Sequence, residues 1–182
     1  MSSGGWHLSE GAPGPLPRTG LKLTGVFVLV VAAGLLVGSI IRSGPAGVAQ
    51  VGEPAPEFSV EVFGTGKTFD LSGASGQPVV VNLWASWCPP CREEIPDISA
   101  FAERHPDVQV IGVAVEDPER SAREFAAEIN ASYPLAMGTP EFEDAYPNLG
   151  LPATFIIDES GTVTQIFNGV VNEETLEELV FG

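Results

Sequence analysis

The chain has 182 residues and is 44% hydrophobic, enough for one domain with a real core and an appendage, but not for two full domains. Its formal net charge of −16 excludes a nucleic-acid binder, because phosphate contacts need clustered Lys and Arg; the plain consequence of such acidity is a soluble surface. Its two cysteines are too few and too close together to staple a secreted scaffold.

Residues 1–22 are rich in Gly, Pro and Ser without periodicity and read as a disordered tail. Residues 23–41 (LTGVFVLVVAAGLLVGSII) are uncharged and mostly apolar, bracketed by Lys22 and Arg42. Their length approaches the ~20 residues that span a bilayer core, which predicts an N-terminal transmembrane helix. A cleaved signal peptide ending near Gly47-Val48-Ala49 is the competing reading, though its apolar region is ordinarily shorter. No Cys follows the run, so lipoprotein processing is excluded. Arg18 and Lys22 before the span, against Arg42 after it, favour a cytoplasmic N-terminus. The expectation is a single-pass cell-membrane protein with an extracytoplasmic body. Residues 42–50 read as a linker and 51–182 as the folded domain.

Within that domain, Phe58–Phe63 and Lys67–Asp70 read as short strands around Gly64-Thr65-Gly66. Pro78–Ala85 is apolar except for Asn82, as a buried central strand is. A helical pattern follows the cysteines to about Arg104, and Val108–Val115 reads as a second buried strand. Ser121–Ile129 reads as an amphipathic helix, with Ser121 as N-cap and Glu124 at the capping-box distance. Glu141–Tyr146 adds a helical turn. Thr154–Ile157 and Val163–Phe167 form a hairpin around Asp158–Gly161, and Asn172 caps a last helix reaching Phe181. This order implies an α/β sandwich with a parallel pair at its centre.

Trp87-Cys88-Pro89-Pro90-Cys91 follows a buried strand and opens a helix. Cysteines three apart across a helix N-terminus are close enough to form a disulfide. The first sits where free N–H groups and the helix dipole favour a thiolate, the nucleophilic form. Pro89 and Pro90 stiffen the loop and remove two donors, which predicts a less acidic, more reducing pair. The alternatives are a structural pair or half a metal site. Zinc takes four ligands, and the only histidines are His7 in the tail and His105 at the far end of the helix, so neither a metal nor a cofactor is expected.

The segment NLWASWCPPCREEIP resembles the active-site segment of the thioredoxin superfamily, and is most similar to its extracytoplasmic TlpA/ResA/CcmG-like branch of redoxin-type thiol–disulfide oxidoreductases. Val51–Phe58 (VGEPAPEF) and Gly150–Asp158 (GLPATFIID) are similar to two further segments of that branch, so the resemblance covers roughly residues 51–182. It implies a thioredoxin-like three-layer α/β sandwich with a mixed central sheet. It also implies Cys88 as the attacking cysteine, Cys91 as the resolving one, a cis Leu151–Pro152 peptide beside them and a kink at Pro96. Thioredoxins carry a buried acid where Asn82 stands; this branch often places a Glu three residues after the second Cys, and Glu94 occupies that position as a proton carrier. A solvated helix-face Glu, like Glu93, is the bland alternative. Trp84 is expected in the core, and Trp87, Leu151, Pro89 and Pro90 at the client-binding surface. Residues 116–148 resemble the helix-containing insert of the branch, whose acids Glu141, Glu143 and Asp144 read as solvated surface.

The expected activity is reduction of client-protein disulfides, apocytochrome c among the family's clients, with electrons from a membrane thiol transporter of the CcdA/DsbD kind. Three rivals share parts of this pattern. An oxidase would run the same chemistry in reverse. A peroxiredoxin-like peroxidase would need a Pro and Thr/Ser before the cysteine, which residues 81–87 lack. A non-catalytic module would merely hold cysteine-bearing proteins.

Overall fold

The computed structural model describes residues 47–182. The expected tail and membrane span lie outside the described residues, among which no helix is long and apolar enough to cross a membrane. Among the described residues, the first buried one is Ala49, which donates its N–H to the Ala145 carbonyl at 2.7 Å.

A turn at Gly64 and Gly66, both at positive φ where glycine is favoured, folds β1 (Ser59–Val62) onto β2 (Lys67–Asp70). A short 3-10 turn, Leu71–Ala74, leads to β3 (Val79–Trp84), buried at all six positions. The chain continues through α1 (Pro89–Arg104), β4 (Gln109–Ala114), α2 (Glu119–Ile129), β5 (Leu135–Met137), α3 (Pro140–Ala145), β6 (Ala153–Ile157), β7 (Val163–Asn168) and α4 (Glu173–Phe181). Together the strands form one mixed sheet in the order β2-β1-β5-β4-β3-β6-β7. β3, β4 and β5 run parallel, joined by helical crossovers, while β6 returns antiparallel against β3.

Strand alternation divides the core in two. Val79, Val81 and Leu83 face a cluster with Ile111, Val113 and Tyr146, covered by α3, the 3-10 turn and the N-terminal segment. Val80 and Trp84 face the other way, under Ile95, Ile98 and Phe101 of α1, Phe125 of α2 and Leu176 of α4. The three layers are therefore unequal, with the longer helices on one face.

Two readings from the sequence need correction. α2 starts at Glu119, with Pro118 as N-cap and no side-chain cap. Ser121 thus lies inside the helix and cannot cap it, and Glu124 pairs instead with Arg120 at 2.8 Å. β5 stands where the sequence predicts no element: three residues between Pro134 and Gly138 are too short to display a period. α3 is capped by Thr139, whose hydroxyl accepts the Phe142 N–H, and Asn172 caps α4 as expected, accepting the Thr175 N–H.

Candidate active site

β3 delivers the chain to the carboxyl end of the parallel strands, where the reactive sites of open α/β sheets collect. Residues 85–88 cross that end and α1 begins at once. Pro89 and Pro90 occupy its first two positions, where their missing N–H groups cost no helical bond. Cys88 is the N-cap, and its Sγ accepts the Cys91 N–H at 3.2 Å. The first helical N–H to reach that sulfur therefore belongs to the other cysteine. A disulfide joins the two, with Cα atoms 5.4 Å apart. Cys88 is 3% exposed and Cys91 0%, so a reagent from solvent meets Cys88.

The loop before the cysteines is clasped from the end of β4. The Asp117 carboxylate accepts the Ser86 N–H at 2.5 Å and the Ser86 hydroxyl at 2.9 Å. The Trp87 indole N–H donates to the Glu116 carbonyl at 3.1 Å while its ring stays 55% exposed. Glu116 holds a positive φ of 50°. Its N–H donates to Glu143 Oε1 at 3.2 Å and its carboxylate accepts from Asn148 at 3.3 Å. Glu143 is thus part of this brace as well as of the acidic surface.

The Leu151–Pro152 peptide is cis. Ala153 pairs with Leu83, which brings Pro152 to the end of β3. Pro152 is buried, its carbonyl accepts the Gly169 N–H at 2.9 Å, and half-buried Leu151 packs against the cluster that holds both cysteines. Pro89 and Pro90 are exposed beside Cys88.

Glu94 is fully buried, whereas Glu93 is exposed. The buried stripe of α1 runs Cys91, Glu94, Ile95, Ile98, Phe101, the i, i+3, i+4, i+7 spacing of a core-facing helix. Oε1 accepts from Asn82 Nδ2 at 2.7 Å, and Oε2 accepts the Val171 N–H, at the entrance to α4, at 3.0 Å. Asn82 also donates to Thr154 of β6 at 3.3 Å. Burial pushes the carboxyl from its ordinary 4.5 up to about 7, and the two hydrogen bonds, which favour the charged form, offset this only in part. The group therefore changes charge near neutral pH, where a proton carrier is most effective.

The sequence reading brings Cys88, Cys91, Glu94, Trp87, Leu151 and Pro152 to one end of the sheet, and the structure does the same. It assigns nothing to Asp117, Thr154 or Val171, which arrive from distant strands and loops. Among the described residues no three His, Cys, Asp or Glu side chains gather as a metal site.

The redoxin family model matches residues 50–180. The thiol-disulfide oxidoreductase ResA of Geobacillus kaustophilus is 31% identical over 156 residues, covering 84% of this chain and 88% of its own. The thiol:disulfide interchange protein DsbE of Pseudomonas fluorescens is 32% identical over 130 residues, covering 68% and 69%. A solved thiol:disulfide interchange protein of the thioredoxin family from Chlorobium tepidum superposes with a TM-score of 0.64 at 32% identity, covering 70% of this chain and 93% of that one.

Proposed function

The chain belongs to the redoxin family, has a thioredoxin-like α/β fold with a mixed sheet, and is a thiol–disulfide oxidoreductase with a cysteine pair; from that premise we propose that it reduces disulfides in client proteins outside the cytoplasm, anchored in the cell membrane by residues 23–41. The observation that carries this reading is the placement of Glu94. A buried carboxyl that titrates near neutral pH lies one helical turn beyond Cys91, on the same face of α1.

In the reduced protein the Cys88 thiolate attacks one sulfur of a client disulfide. A Cys88–client bond forms, the client S–S bond breaks, and the departing client sulfur takes up a proton. Cys91 then attacks the Cys88 sulfur. Its thiol proton passes to the Glu94 carboxylate, the Cys88–Cys91 bond closes, and the second client sulfur leaves as a thiolate. The client is reduced by two electrons and the pair is oxidised by two. The backbone at Leu151–Pro152 and the exposed ring of Trp87 offer the client a strand edge and an apolar contact.

The Pro-Pro loop supports the reductive direction, because it leaves the Cys91 N–H to stabilise the Cys88 sulfur where other loops offer more donors. The sequence resemblance supports a membrane thiol transporter of the CcdA/DsbD kind as electron donor, and apocytochrome c as a client whose haem-binding thiols must be kept reduced. The deciding experiment is the equilibrium reduction potential of the pair, titrated against dithiothreitol or glutathione. A value at or below about −250 mV marks a reductant, and one near about −120 mV marks an oxidase and overturns the proposal.

A further inference from the structure

β4 ends at Ala114, and Val115 beyond it still donates its N–H to the Trp84 carbonyl at 3.0 Å. Glu116 then turns the chain at a φ of 50°, a left-handed conformation that glycine adopts freely and a residue with a Cβ rarely takes. Such conformations persist only where surrounding contacts hold them, and they gather at functional sites. Here each polar group of the turn meets a different segment. The carbonyl accepts from the Trp87 indole at 3.1 Å, the N–H donates to Glu143 of α3 at 3.2 Å, and the carboxylate accepts from Asn148 at 3.3 Å. Glycine would take the same turn and make the first two bonds. Only the third needs a side chain, so the bond to Asn148 is what glutamate adds at this position.

Asn148 lies in the segment 147–151, between Tyr146 at the end of α3 and Pro152, both buried. Pro147, Leu149 and Gly150 are exposed, Leu149 at 91%, and Leu151 packs against the core at the far end. Among the described residues, the bond to Glu116 is the one hydrogen bond that ties this segment to another part of the chain. Asn148 also accepts the Gly150 N–H at 3.1 Å, which folds the segment on itself. A continuous path therefore runs from Trp87, the neighbour of Cys88, through Glu116 and Asn148 to Gly150 and the Leu151–Pro152 peptide.

We propose that Glu116 is a positioning residue through which the site selects polypeptide disulfides over small ones: its carboxylate latches the segment 147–151, holding Leu149 and Leu151 at a fixed spacing from Trp87 along an extended client segment. This role rests on clients meeting Trp87 and the Leu151–Pro152 backbone. A client that docks on a wall already in place does not have to order it, so the latch strengthens binding and leaves the sulfur chemistry to Cys88, Cys91 and Glu94. A small disulfide reaches Cys88 without spanning the wall and gains nothing from it.

The test is the single-turnover reaction of the full reduced chain with insulin and with 2-hydroxyethyl disulfide, followed by acid quench over a range of concentrations. Glu116→Gly keeps the turn and removes the latch. It is expected to raise the half-saturating insulin concentration about fivefold at an unaltered limiting rate, and so to lower the preference for insulin over the small disulfide by the same factor. Glu116→Gln keeps an acceptor oxygen and restores the preference. On an Asn148→Ala background, Glu116→Gly lowers it no further. A wild-type preference for Glu116→Gly, a Gln variant as impaired as the Gly one, or additive losses in the double variant overturns the inference alone. A wild-type preference for Trp87→Ala overturns the client surface and the inference with it. On the unaltered protein, ¹⁵N relaxation is expected to show residues 148–150 as ordered as α3; free nanosecond motion there overturns the inference even if a variant fails to fold.

Discussion

Asn82 on β3 donates a 2.7 Å hydrogen bond to the Glu94 carboxylate on α1. The strand contributes a neutral amide and the helix contributes the acid. The amide orients the carboxyl and lowers its proton affinity somewhat, but burial dominates. The outcome is a buried acid that is neither permanently charged nor permanently neutral at physiological pH.

Glu94→Gln is therefore expected to slow disulfide reduction by about a hundredfold, within the range for loss of a general acid–base group, and to flatten its pH dependence. Glu93→Gln, on the exposed face, is expected to leave both unchanged. Steady-state insulin reduction from pH 5 to 9 checks the pair, and equal small effects at both positions would count against the role of Glu94.

Stability should record the same group. Because the folded-state carboxyl titrates near 7 and the unfolded one near 4.5, the native state binds more protons between those values. This contribution is complete below 4.5 and is lost as pH rises through 7. Urea denaturation of the oxidised chain should show it as roughly 3 kcal/mol, read as the difference in pH dependence between wild type and Glu94→Gln. Parallel pH curves for the two would contradict the shifted carboxyl.

Cys91→Ala removes the resolving thiol and is expected to leave clients covalently held on Cys88. Non-reducing electrophoresis should show adducts that dithiothreitol releases and that Cys88→Ala abolishes. Binding that survives loss of both cysteines would instead favour the non-catalytic module.

Asp117→Ala removes both acceptors of Ser86. Leaving the Ser86 N–H without its carboxylate is expected to cost about 1–3 kcal/mol and to free the Trp87 ring. Urea denaturation measures the first, and tryptophan anisotropy against a Trp87→Phe control measures the second.

The central elements were legible because their signals are local. β3 is buried on both faces and reads as a near-continuous apolar run, and Asn172 caps α4 three residues before its bonded N–H. The burial of Glu94 was also readable: its spacing from Cys91, Ile95 and Ile98 puts it in the core stripe of α1. Its partners were not, since the Val171 N–H arrives from 77 residues away. The cap at Ser121 failed because Pro118 starts the helix earlier, and β5 is too short to have a period. The clasp of Asp117 on Ser86 joins loops that only the β3–β4 crossover brings together.

The closeness of the two cysteines on one turn of α1, Cα to Cα 5.4 Å, has a kinetic consequence. Groups held in such proximity react with effective molarities that reach about 10⁵–10⁸ M in well-oriented cases. No free thiol in solution competes at that concentration. Each covalent encounter with a client is thereby self-terminating, and throughput is governed by how often clients arrive and how fast the pair is recharged.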